Sequence, residues 1–426
     1  MGRAKTIIAA LAAALALAAL AAPAGAVTWV VRGGGYGHGV GMSQYGAYGF
    51  GVKGRGSRQI LRHYFRGTTI ERTRETRFVK VLLRIDPDDV FFTRARRACG
   101  RNLNPAGQFR ASLGGRGLLS LRTSSGRFLK KCGAKLRAEG RGRVRIGGVG
   151  AYRGALEVVP TKSSPGSLNV INALDVNSYV KGVVPHEVPY TWPMATLKAQ
   201  AIAARSYGLS TACGDCNGFT LYADTRSQAY GGIGLETKRT NRAVRETRNM
   251  VVRHRGRIAQ TFYFSTSGGQ TESGFLGAPD VPYLRSVDDP FDYYSPLHRW
   301  AFRFSGAEMN SQLASYVKGR LRKIRVIQRG DSPRVDYARL VGTGGSTRIR
   351  GDTLQFALGL YDRWMSFRKV RTGRLTRHTE VPLFRRMAKP AEVLTGSGAG
   401  YPGAAGYPSG WGWTGMPWSV SRIPNS

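Results

Sequence analysis

One acid, Glu187, lies in a segment of apolar and aromatic residues. Its neighbours along the chain include Val184, Val188, Tyr190 and Trp192. Such surroundings disfavour an ionised carboxylate, so the pKa of Glu187 is expected to rise. A carboxyl that keeps its proton near neutral pH can act as a general acid. The alternative is that Glu187 is a solvated loop acid with no catalytic role.

Three prolines divide this segment into a loop and a helix. Pro185, Pro189 and Pro193 oppose a continuous helix, so residues 185–192 are predicted to form a turn-rich loop. From Pro193 onward the residues are strong helix formers with one apolar stripe. This predicted helix carries Arg205.

The residues around Glu187 resemble the signature of the SpoIID/LytB family of bacterial cell-wall proteins. Residues 183–189 read Val-Val-Pro-His-Glu-Val-Pro, and residues 197–207 read Leu-Lys-Ala-Gln-Ala-Ile-Ala-Ala-Arg-Ser-Tyr. The family includes a sporulation lytic transglycosylase and amidase enhancers. The resemblance implies that Glu187 is the catalytic acid and that Arg205 orients the substrate or stabilises developing charge.

Three further blocks resemble the same family. They are Gly-His-Gly-Val-Gly-Met-Ser-Gln-Tyr-Gly-Ala at 37–47, Asp-Thr-Arg-Ser-Gln-Ala-Tyr-Gly-Gly at 224–232, and Phe-Ser-Thr-Ser-Gly-Gly-Gln at 264–270. The first is expected to be a glycine-rich loop, and the alternative for each block is an ordinary capped turn. Besides Arg205, the resemblance implies a substrate groove lined by His38, Gln44, Gln228, Tyr230, Ser265, Ser267 and Gln270.

The first of these blocks stands in an unexpected place. In the usual family arrangement this block is the last segment of the domain. Here it lies within residues 33–68, near the N-terminus and before the other blocks. The other blocks keep the ordinary order up to about residue 368. This order predicts a circular permutation, which is tolerated when the original termini lie close together at the surface.

The pattern between the blocks predicts an α+β fold. Short apolar runs separated by glycine and arginine predict strands at 78–85, 118–122, 143–146, 155–159 and 168–171. With the helix after Glu187, they predict one large strand-rich, SpoIID-like domain over residues 27–368, with a basic insert or hairpin region at 94–150. Residues 369–426 are basic and then rich in glycine, proline and tryptophan, which is typical of a tail.

The N-terminus predicts export. Arg3 and Lys5 precede a run of alanine and leucine, which small residues follow up to Ala26. This order is typical of a signal peptide over residues 1–26. The alternative, a retained membrane anchor, is disfavoured because the run is short. The protein is therefore expected to be secreted and to act at the cell wall.

The four cysteines are Cys99, Cys132, Cys213 and Cys216. An even number in an exported protein favours disulfides, and pairing by neighbourhood predicts Cys99–Cys132 and Cys213–Cys216. The Cys-Gly-Asp-Cys run is alternatively half of a zinc site or a redox-active pair. No second ligand cluster accompanies it, so neither a metal nor another cofactor is predicted.

The formal net charge is +40. It suits a polyanionic partner, namely nucleic acid, an anionic membrane surface or an anionic cell wall. Export and the lack of a recognisable nucleic-acid module argue against nucleic acid. Anionic cell-wall polymers are therefore the expected partners, and the alternative is a charge that serves solubility or tolerance of salt.

The resemblance implies a lytic transglycosylase that cleaves peptidoglycan glycan strands. Glu187 would protonate the oxygen between N-acetylmuramic acid and N-acetylglucosamine and then accept the proton of the C6 hydroxyl, leaving a 1,6-anhydro end. Because that nucleophile belongs to the substrate, no second carboxylate is required, unlike in ordinary glycosidases. The alternatives are a non-catalytic enhancer of a cell-wall amidase and zinc-dependent hydrolysis at Cys213 and Cys216.

Overall fold

The computed structural model describes residues 27–371, apart from residues 75, 88, 163 and 212–216. The predicted signal peptide, Cys213, Cys216 and residues 372–426 of the predicted tail lie outside the described residues. The described residues form two compact units, one of residues 39–295 and one that combines residues 27–38 with 296–371. The single domain that the sequence predicts over 27–368 stays a prediction.

The described residues contain helices and many strands, as the α+β prediction requires. The helices are α1 Gln44–Val52, α2 Ser57–Tyr64, α3 Val176–Glu187, α4 Met194–Ser210, α5 Lys238–Glu246, α6 Gly306–Gln312 and α7 Gly351–Ala357. None of the described helices is long and apolar enough to cross a membrane.

The five predicted strand runs are confirmed, with ends shifted by up to four residues. The strands are β1 Val27–Gly33, β2 Met42–Ser43, β3 Thr69–Arg72, β4 Phe78–Asp86, β5 Val90–Thr93, β6 Arg97–Ala98, β7 Arg101–Asn102, β8 Gln108–Leu113, β9 Leu119–Thr123, β10 Phe128–Gly133, β11 Leu136–Glu139, β12 Val144–Ile146, β13 Gly150–Tyr152, β14 Ala155–Pro160, β15 Leu168–Asp175, β16 Leu221–Tyr222, β17 Met250–His254, β18 Arg257–Ile258, β19 Tyr263–Phe264, β20 Trp300–Ser305, β21 Leu321–Arg329, β22 Val335–Gly342, β23 Gly345–Arg350 and β24 Met365–Arg371.

In the unit of residues 39–295, one seven-stranded sheet delivers the chain to Glu187. Its order is β16-β4-β15-β14-β11-β6-β7, and β15 is buried over nearly its whole length. At the end of β15 the carboxylate of Asp175 accepts the backbone N–H groups of Asn177 and Ser178. This N-cap satisfies donors that have no partner within the helix, and it starts α3 at a fixed point.

The remaining sheets of this unit are smaller. A six-stranded sheet has the order β10-β9-β8-β5-β12-β13, and the others are β18-β17-β3 and β19-β2. A disulfide joins Cys99 to Cys132 within the basic region at 94–150. The same region contributes Leu119, Leu121 and Val144 to the largest apolar core of the unit, together with residues of α3 and α4.

The prediction of a loop over residues 185–192 is wrong in its first three residues, because α3 continues through Pro185 to Glu187. Proline removes one i→i−4 hydrogen bond, and its ring crowds the carbonyl four residues earlier. In α3 this occurs two residues before the helix ends. The backbone N–H of Val188 still donates to the carbonyl of Val184, which closes the final turn. Glu187 is thus a helix-terminal residue rather than a loop residue.

Helix α4 begins at Met194, with Pro193 as its N-cap residue. The sequence predicts one apolar stripe on this helix. The structure instead buries α4 on nearly all sides, where it contacts α1, α2, α3, α5 and β17. Its many alanines leave room for this crowding, including Ala199, Ala201, Ala203 and Ala204, which are all buried. A helix surrounded in this way has no polar face, so its periodicity is weak.

The unit of residues 27–38 and 296–371 contains two three-stranded sheets, β20-β1-β24 and β21-β22-β23. Strand β1 pairs antiparallel with β24, so that Val27 faces Arg371 across the ladder. One apolar core unites the unit and includes Trp29, Ile324 and Leu340.

Candidate active site

The carboxyl of Glu187 is held by groups from three separate segments. The Gln44 side chain donates from Nε2 to Oε2 at 3.2 Å, and the backbone N–H of Ala229 donates to Oε1 at 2.9 Å. The hydroxyl of Tyr263, which has one proton to donate, is shared between this carboxyl and Gln228 Oε1, which lies 2.7 Å from the hydroxyl oxygen. Glu187 itself is half-buried, so its side chain remains reachable from solvent.

The pKa of Glu187 is raised, as the sequence predicts, and desolvation by burial is the largest cause. The hydrogen bonds from Ala229, Gln44 and Tyr263 oppose this shift because they stabilise the carboxylate, but burial outweighs them. The position of Glu187 at the C-terminal end of α3 acts in the same direction as burial, since the helix dipole disfavours an anion there. The Glu187 carboxyl therefore keeps its proton to higher pH than an exposed glutamate does, while the hydrogen-bond donors around it stabilise its ionised form.

The expected glycine-rich loop is a helix from Gln44 onward, and this helix fixes the donor of Glu187. Ser43 is the N-cap of α1: its Oγ accepts the N–H of Gly46 at 3.0 Å and donates to Asp292 Oδ1 at 3.0 Å. The N–H of Tyr45 donates to the carbonyl of Ser265 at 3.0 Å. The residues on either side of Gln44 are therefore held by hydrogen bonds, Ser43 to Asp292 and Tyr45 to Ser265, which fixes the position of Gln44 in the first turn of α1.

Two buried acids beneath α1 were not singled out from the sequence. Asp292 accepts the backbone N–H groups of Ser267 and Gly268, and Asp289 accepts the hydroxyls of Tyr64 and Ser267. Burial, followed by the charge of Asp292, raises the pKa of Asp289 to about 7. The run Asp288-Asp289-Pro290 was the available signal, but nothing in it indicates burial.

Gly46 allows α1 to approach these acids. A Cβ at this position would lie 2.1 Å from the Tyr64 hydroxyl oxygen and 2.2 Å from Asp289 Oδ2. No side chain fits there without moving the helix or the acids. The sequence block at 37–47 is thus rich in glycine partly because α1 packs at contact distance.

Gln228 is placed behind Tyr263 and not against the carboxyl of Glu187. It is buried, its Oε1 accepts the Tyr263 hydroxyl at 2.7 Å, and its Nε2 donates to the Tyr179 hydroxyl at 3.0 Å. Gln228 therefore fixes the position of Tyr263, a residue that sequence reasoning missed. The next residue, Ala229, supplies its backbone N–H to Glu187, which no side-chain pattern could reveal.

Tyr230 is placed in the core and not in a groove. It is 5% exposed, its hydroxyl donates to Asn172 Oδ1 at 2.6 Å, and its ring packs against those of Tyr152 and Tyr179. The predicted stacking of this ring on a sugar does not fit a side chain enclosed by protein on every side.

Arg205 is likewise placed in the core, where it is 0% exposed. Its Nε donates to Asn177 Oδ1 at 3.0 Å, and its Nη1 donates to the carbonyls of Met250 and Ala201. Burial, with the nearby Arg72, lowers its pKa to about 9. The guanidinium ties α3, α4 and β17 together, so its expected contact with substrate does not match its placement.

The other expected groove residues differ in their positions. Ser265 is half-buried beside the first turn of α1, whereas Ser267 is fully buried on Asp289. The half-buried Gln270 donates from Nε2 to Ser286 Oγ at 3.1 Å. His38 is half-buried and belongs to the other compact unit.

A chain of aromatic rings, which we call the aromatic ladder, leads from the surface to α1. It was not predicted as a unit. Ring centroids lie 4.6 Å apart between Tyr293 and Tyr294, 5.6 Å between Tyr294 and Tyr48, 4.9 Å between Tyr48 and Trp192, and 5.1 Å between Trp192 and Tyr45. Tyr293 is 51% exposed, and Tyr45 adjoins Gln44 in sequence. The ladder thus ends one residue from a donor to the carboxyl of Glu187.

Within the described ranges, no group of three or more histidine, cysteine, aspartate or glutamate side chains is arranged to hold a metal ion. Cys213 and Cys216 lie outside those ranges. The arrangement that the structure does provide is that of a proton donor and acceptor built on one carboxyl.

Residues 164–254 match the model of the SpoIID family, described as stage II sporulation protein. The chain is 29% identical over 223 residues to stage II sporulation protein D of Bacillus subtilis, which covers 47% of this chain and 64% of that protein. It is 33% identical over 140 residues to an amidase enhancer of Bacillus subtilis, covering 33% of this chain and 19% of the relative. An uncharacterized protein of Brachyspira hyodysenteriae is 34% identical over 169 residues, covering 39% and 45%.

The segment that carries Glu187, Arg205 and Gln228 lies within the residues that match the SpoIID model. The chain spans less than two thirds of the length of each of these relatives. The shared part includes α3, α4 and the Ala229 donor, whereas α1 and Tyr263 lie outside the residues that the family model matches.

Proposed function

We propose that this protein is a secreted lytic transglycosylase that cleaves peptidoglycan glycan strands. The observation that carries the proposal is the half-buried carboxyl of Glu187, whose pKa is raised by burial while three donors stand ready to stabilise its anion. Glu187 donates its proton to the glycosidic oxygen between N-acetylmuramic acid and N-acetylglucosamine. The resulting carboxylate then accepts the proton of the C6 hydroxyl, which attacks C1 and leaves a 1,6-anhydro end.

The groups around Glu187 support a mechanism with one acid. The groups that shift its pKa, which come from Ala229, Gln44 and Tyr263, are all neutral. Neutral donors stabilise the carboxylate in the middle of the cycle without holding it permanently ionised, as an arginine would. Ordinary glycosidases need a second carboxylate to activate water or to act as nucleophile, but an intramolecular hydroxyl replaces both.

The aromatic ladder gives the substrate a place to lie. Aromatic rings present apolar faces that pack against the C–H faces of pyranose rings, and Tyr293 is exposed. We propose that a glycan strand lies over the exposed Tyr293 and the half-buried tyrosines of the ladder, while the buried Trp192 supports the rings of Tyr48 and Tyr45, and that the strand brings one linkage to Glu187. The family resemblance implies substrate contacts for Arg205 and Tyr230, but both side chains are buried. In this proposal Tyr263 and the aromatic ladder contact the substrate instead.

The test is digestion of purified glycan strands, with and without stem peptides, by the wild type and by Glu187→Gln. Mass spectrometry distinguishes an anhydro end, which is lighter by one water, from a hydrolysed end. Anhydro products from the wild type and none from the variant are expected. Glu246→Gln, which alters an exposed acid of α5, is the matched control and should cleave like the wild type. Hydrolysed ends, or equal cleavage by Glu187→Gln, would disprove the assignment.

The second candidate function is a non-catalytic enhancer of an N-acetylmuramoyl-L-alanine amidase. It is favoured by the relative named amidase enhancer and by the net charge of +40, which suits adhesion to an anionic wall. In this case neither the wild type nor Glu187→Gln cleaves glycan strands, and both stimulate a purified amidase on intact sacculi to the same extent. Stimulation that requires Glu187 would instead point to cleavage of the strands.

A further inference from the structure

The sheet β21-β22-β23 has one buried and one exposed face. Ile324, Ala338, Leu340 and Ile349 point into the apolar core. Because side chains alternate along a strand, the residues between them point to the opposite face. That outer face carries Lys323, Val341 and Ser346 in one row, Arg325, Arg339 and Arg348 in the next, and Gln328, Tyr337 and Arg350 in the third.

The middle row places three arginines directly beside one another. Arg325 pairs with Arg339, Arg339 pairs with Arg348, and all three are exposed. Neighbouring strands lie about 4.8 Å apart, so the three charged groups share one small area. Within the described residues none of the three forms an ion pair, and the nearest ion pair on the face is Arg350 with Asp352 at 2.6 Å. We call these three residues the arginine row.

Like charges directly opposite each other in a sheet are destabilising. Cations on edge strands can be explained as protection against pairing with other chains, but Arg339 lies on the central strand, where there is no free edge. Solubility alone does not require the three charges to be adjacent. A ligand that supplies several negative charges at short intervals would offset the repulsion.

We propose that the arginine row, with Lys323, binds a polyol phosphate polymer, a linear polyanion whose charges are phosphodiesters. The planar guanidinium presents paired donors that match phosphate oxygens, so arginine suits this ligand better than lysine does. Among the described residues of the three strands, the aromatic ring on the outer face is that of Tyr337, and the Arg348 guanidinium carbon lies 3.8 Å from its centroid. The face therefore has no free ring on which nucleic-acid bases could stack, whereas a polyol phosphate needs none.

This site lies outside the residues that match the SpoIID model and outside the unit that carries Glu187. The proposed site assigns part of the net charge of +40 to one surface and to one class of ligand. It does not rest on the proposed function, so Glu187→Gln is expected to bind the polymer as the wild type does.

The test measures binding of soluble poly(glycerol phosphate) to the full chain as a function of salt. The variant Arg325→Gln/Arg339→Gln/Arg348→Gln is compared with Arg55→Gln/Arg141→Gln/Arg143→Gln, which removes the same charge from exposed positions elsewhere. The arginine-row variant is expected to lose about tenfold or more in affinity, and the slope of log K against log salt should fall by about 2. Equal losses in the two variants would overturn the site.

Further experiments test the ligand class and the role of the planar guanidinium groups. Oligo(dT), polyglutamate and vesicles with phosphatidylglycerol are expected to bind more weakly than poly(glycerol phosphate), and tighter or equal binding of any of them overturns the assignment. The triple change of the row to lysine keeps the charge and should still lose several-fold in affinity. Thermal unfolding should show the glutamine variant as stable as the wild type or more so, because repulsion is removed.

Discussion

At the scale of single residues, Glu187 combines burial with neutral donors, and this combination has a consequence for stability. Its raised pKa means that the folded state favours the protonated form more strongly than the unfolded state does. As pH rises above about 4.5, the unfolded chain ionises freely while the folded carboxyl resists. Stability is therefore lost with rising pH until the folded pKa has been passed.

We predict that Glu187→Gln removes this loss. Relative to the wild type, the variant should unfold at an equal temperature at pH 4 and at a higher temperature at pH 7 to 8, as measured by calorimetry. The matched change Glu246→Gln should act in the opposite direction, because Lys198 and Arg242 lower the pKa of Glu246 to about 2. A difference for Glu187→Gln that does not vary with pH would show that burial does not perturb this carboxyl.

Arg205 gives a second residue-scale prediction, in which a structural role is separated from a role in substrate binding. Arg205→Lys cannot reach both Asn177 and the two carbonyls with one ammonium, so we expect a loss of about 2–4 kcal/mol in the free energy of unfolding. Urea denaturation measures this loss. Arg245→Lys, at an exposed position of α5, should change stability by less than about 0.5 kcal/mol.

The kinetic readout decides between the two roles of Arg205. For the folded fraction of Arg205→Lys, the KM for glycan strands should equal that of the wild type. A raised KM with unchanged stability would instead restore the substrate contact that the family resemblance implies.

At the scale of elements, the close packing of α1 controls the position of Gln44. Gly46→Ala would push α1 away from Tyr64 and Asp289. We expect a loss of about 1–3 kcal/mol in stability from overpacking and a fall in kcat, since Gln44 moves from Glu187. Gly115→Ala, where an added Cβ meets nothing within 4 Å, is the control and should leave both quantities unchanged.

The aromatic ladder gives a prediction about binding and not about chemistry. Tyr293→Ala removes its exposed end, so the KM for long glycan strands should rise about 2- to 10-fold with kcat retained. Tyr316→Ala removes a ring of comparable exposure, 37%, in the other unit and should have no effect on KM. An unchanged KM in Tyr293→Ala would show that the strand does not follow the ladder.

At the scale of the whole molecule, the order of the blocks predicts a circular permutation, and the pairing of β1 with β24 makes it testable. Val27 faces Arg371 across an antiparallel ladder, so a short turn of about four residues can join them. We predict that a chain joined there and opened between β3 and β4 folds and keeps its activity. Circular dichroism and the glycan assay check this expectation.

The control for the rearranged chain is a permutant opened within β15, a buried interior strand of the seven-stranded sheet, which should not fold. If both rearranged chains fail to fold, then the present order of segments is required, and the permutation is not a simple exchange of termini.

The sequence by itself predicted the strand runs and the helix from 194, and it singled out Glu187 as the candidate acid. The strand runs between 78 and 171 are short apolar runs separated by stretches that contain glycine and arginine, the helix from 194 is rich in alanine, and Glu187 stands among apolar neighbours. These are local properties, because propensity and periodicity act between residues a few positions apart. The family resemblance of the central segment follows from the same local order.

Only the tertiary structure decided which polar residues reach Glu187. Gln44 lies 143 positions from it along the chain, and Ala229 contributes only its backbone. Arg205 and Tyr230 share the sequence blocks of the site but are enclosed in the core, while Tyr263, an ordinary strand residue by sequence, contacts the acid. Burial depends on what distant segments cover, and no local pattern of residue types specifies that.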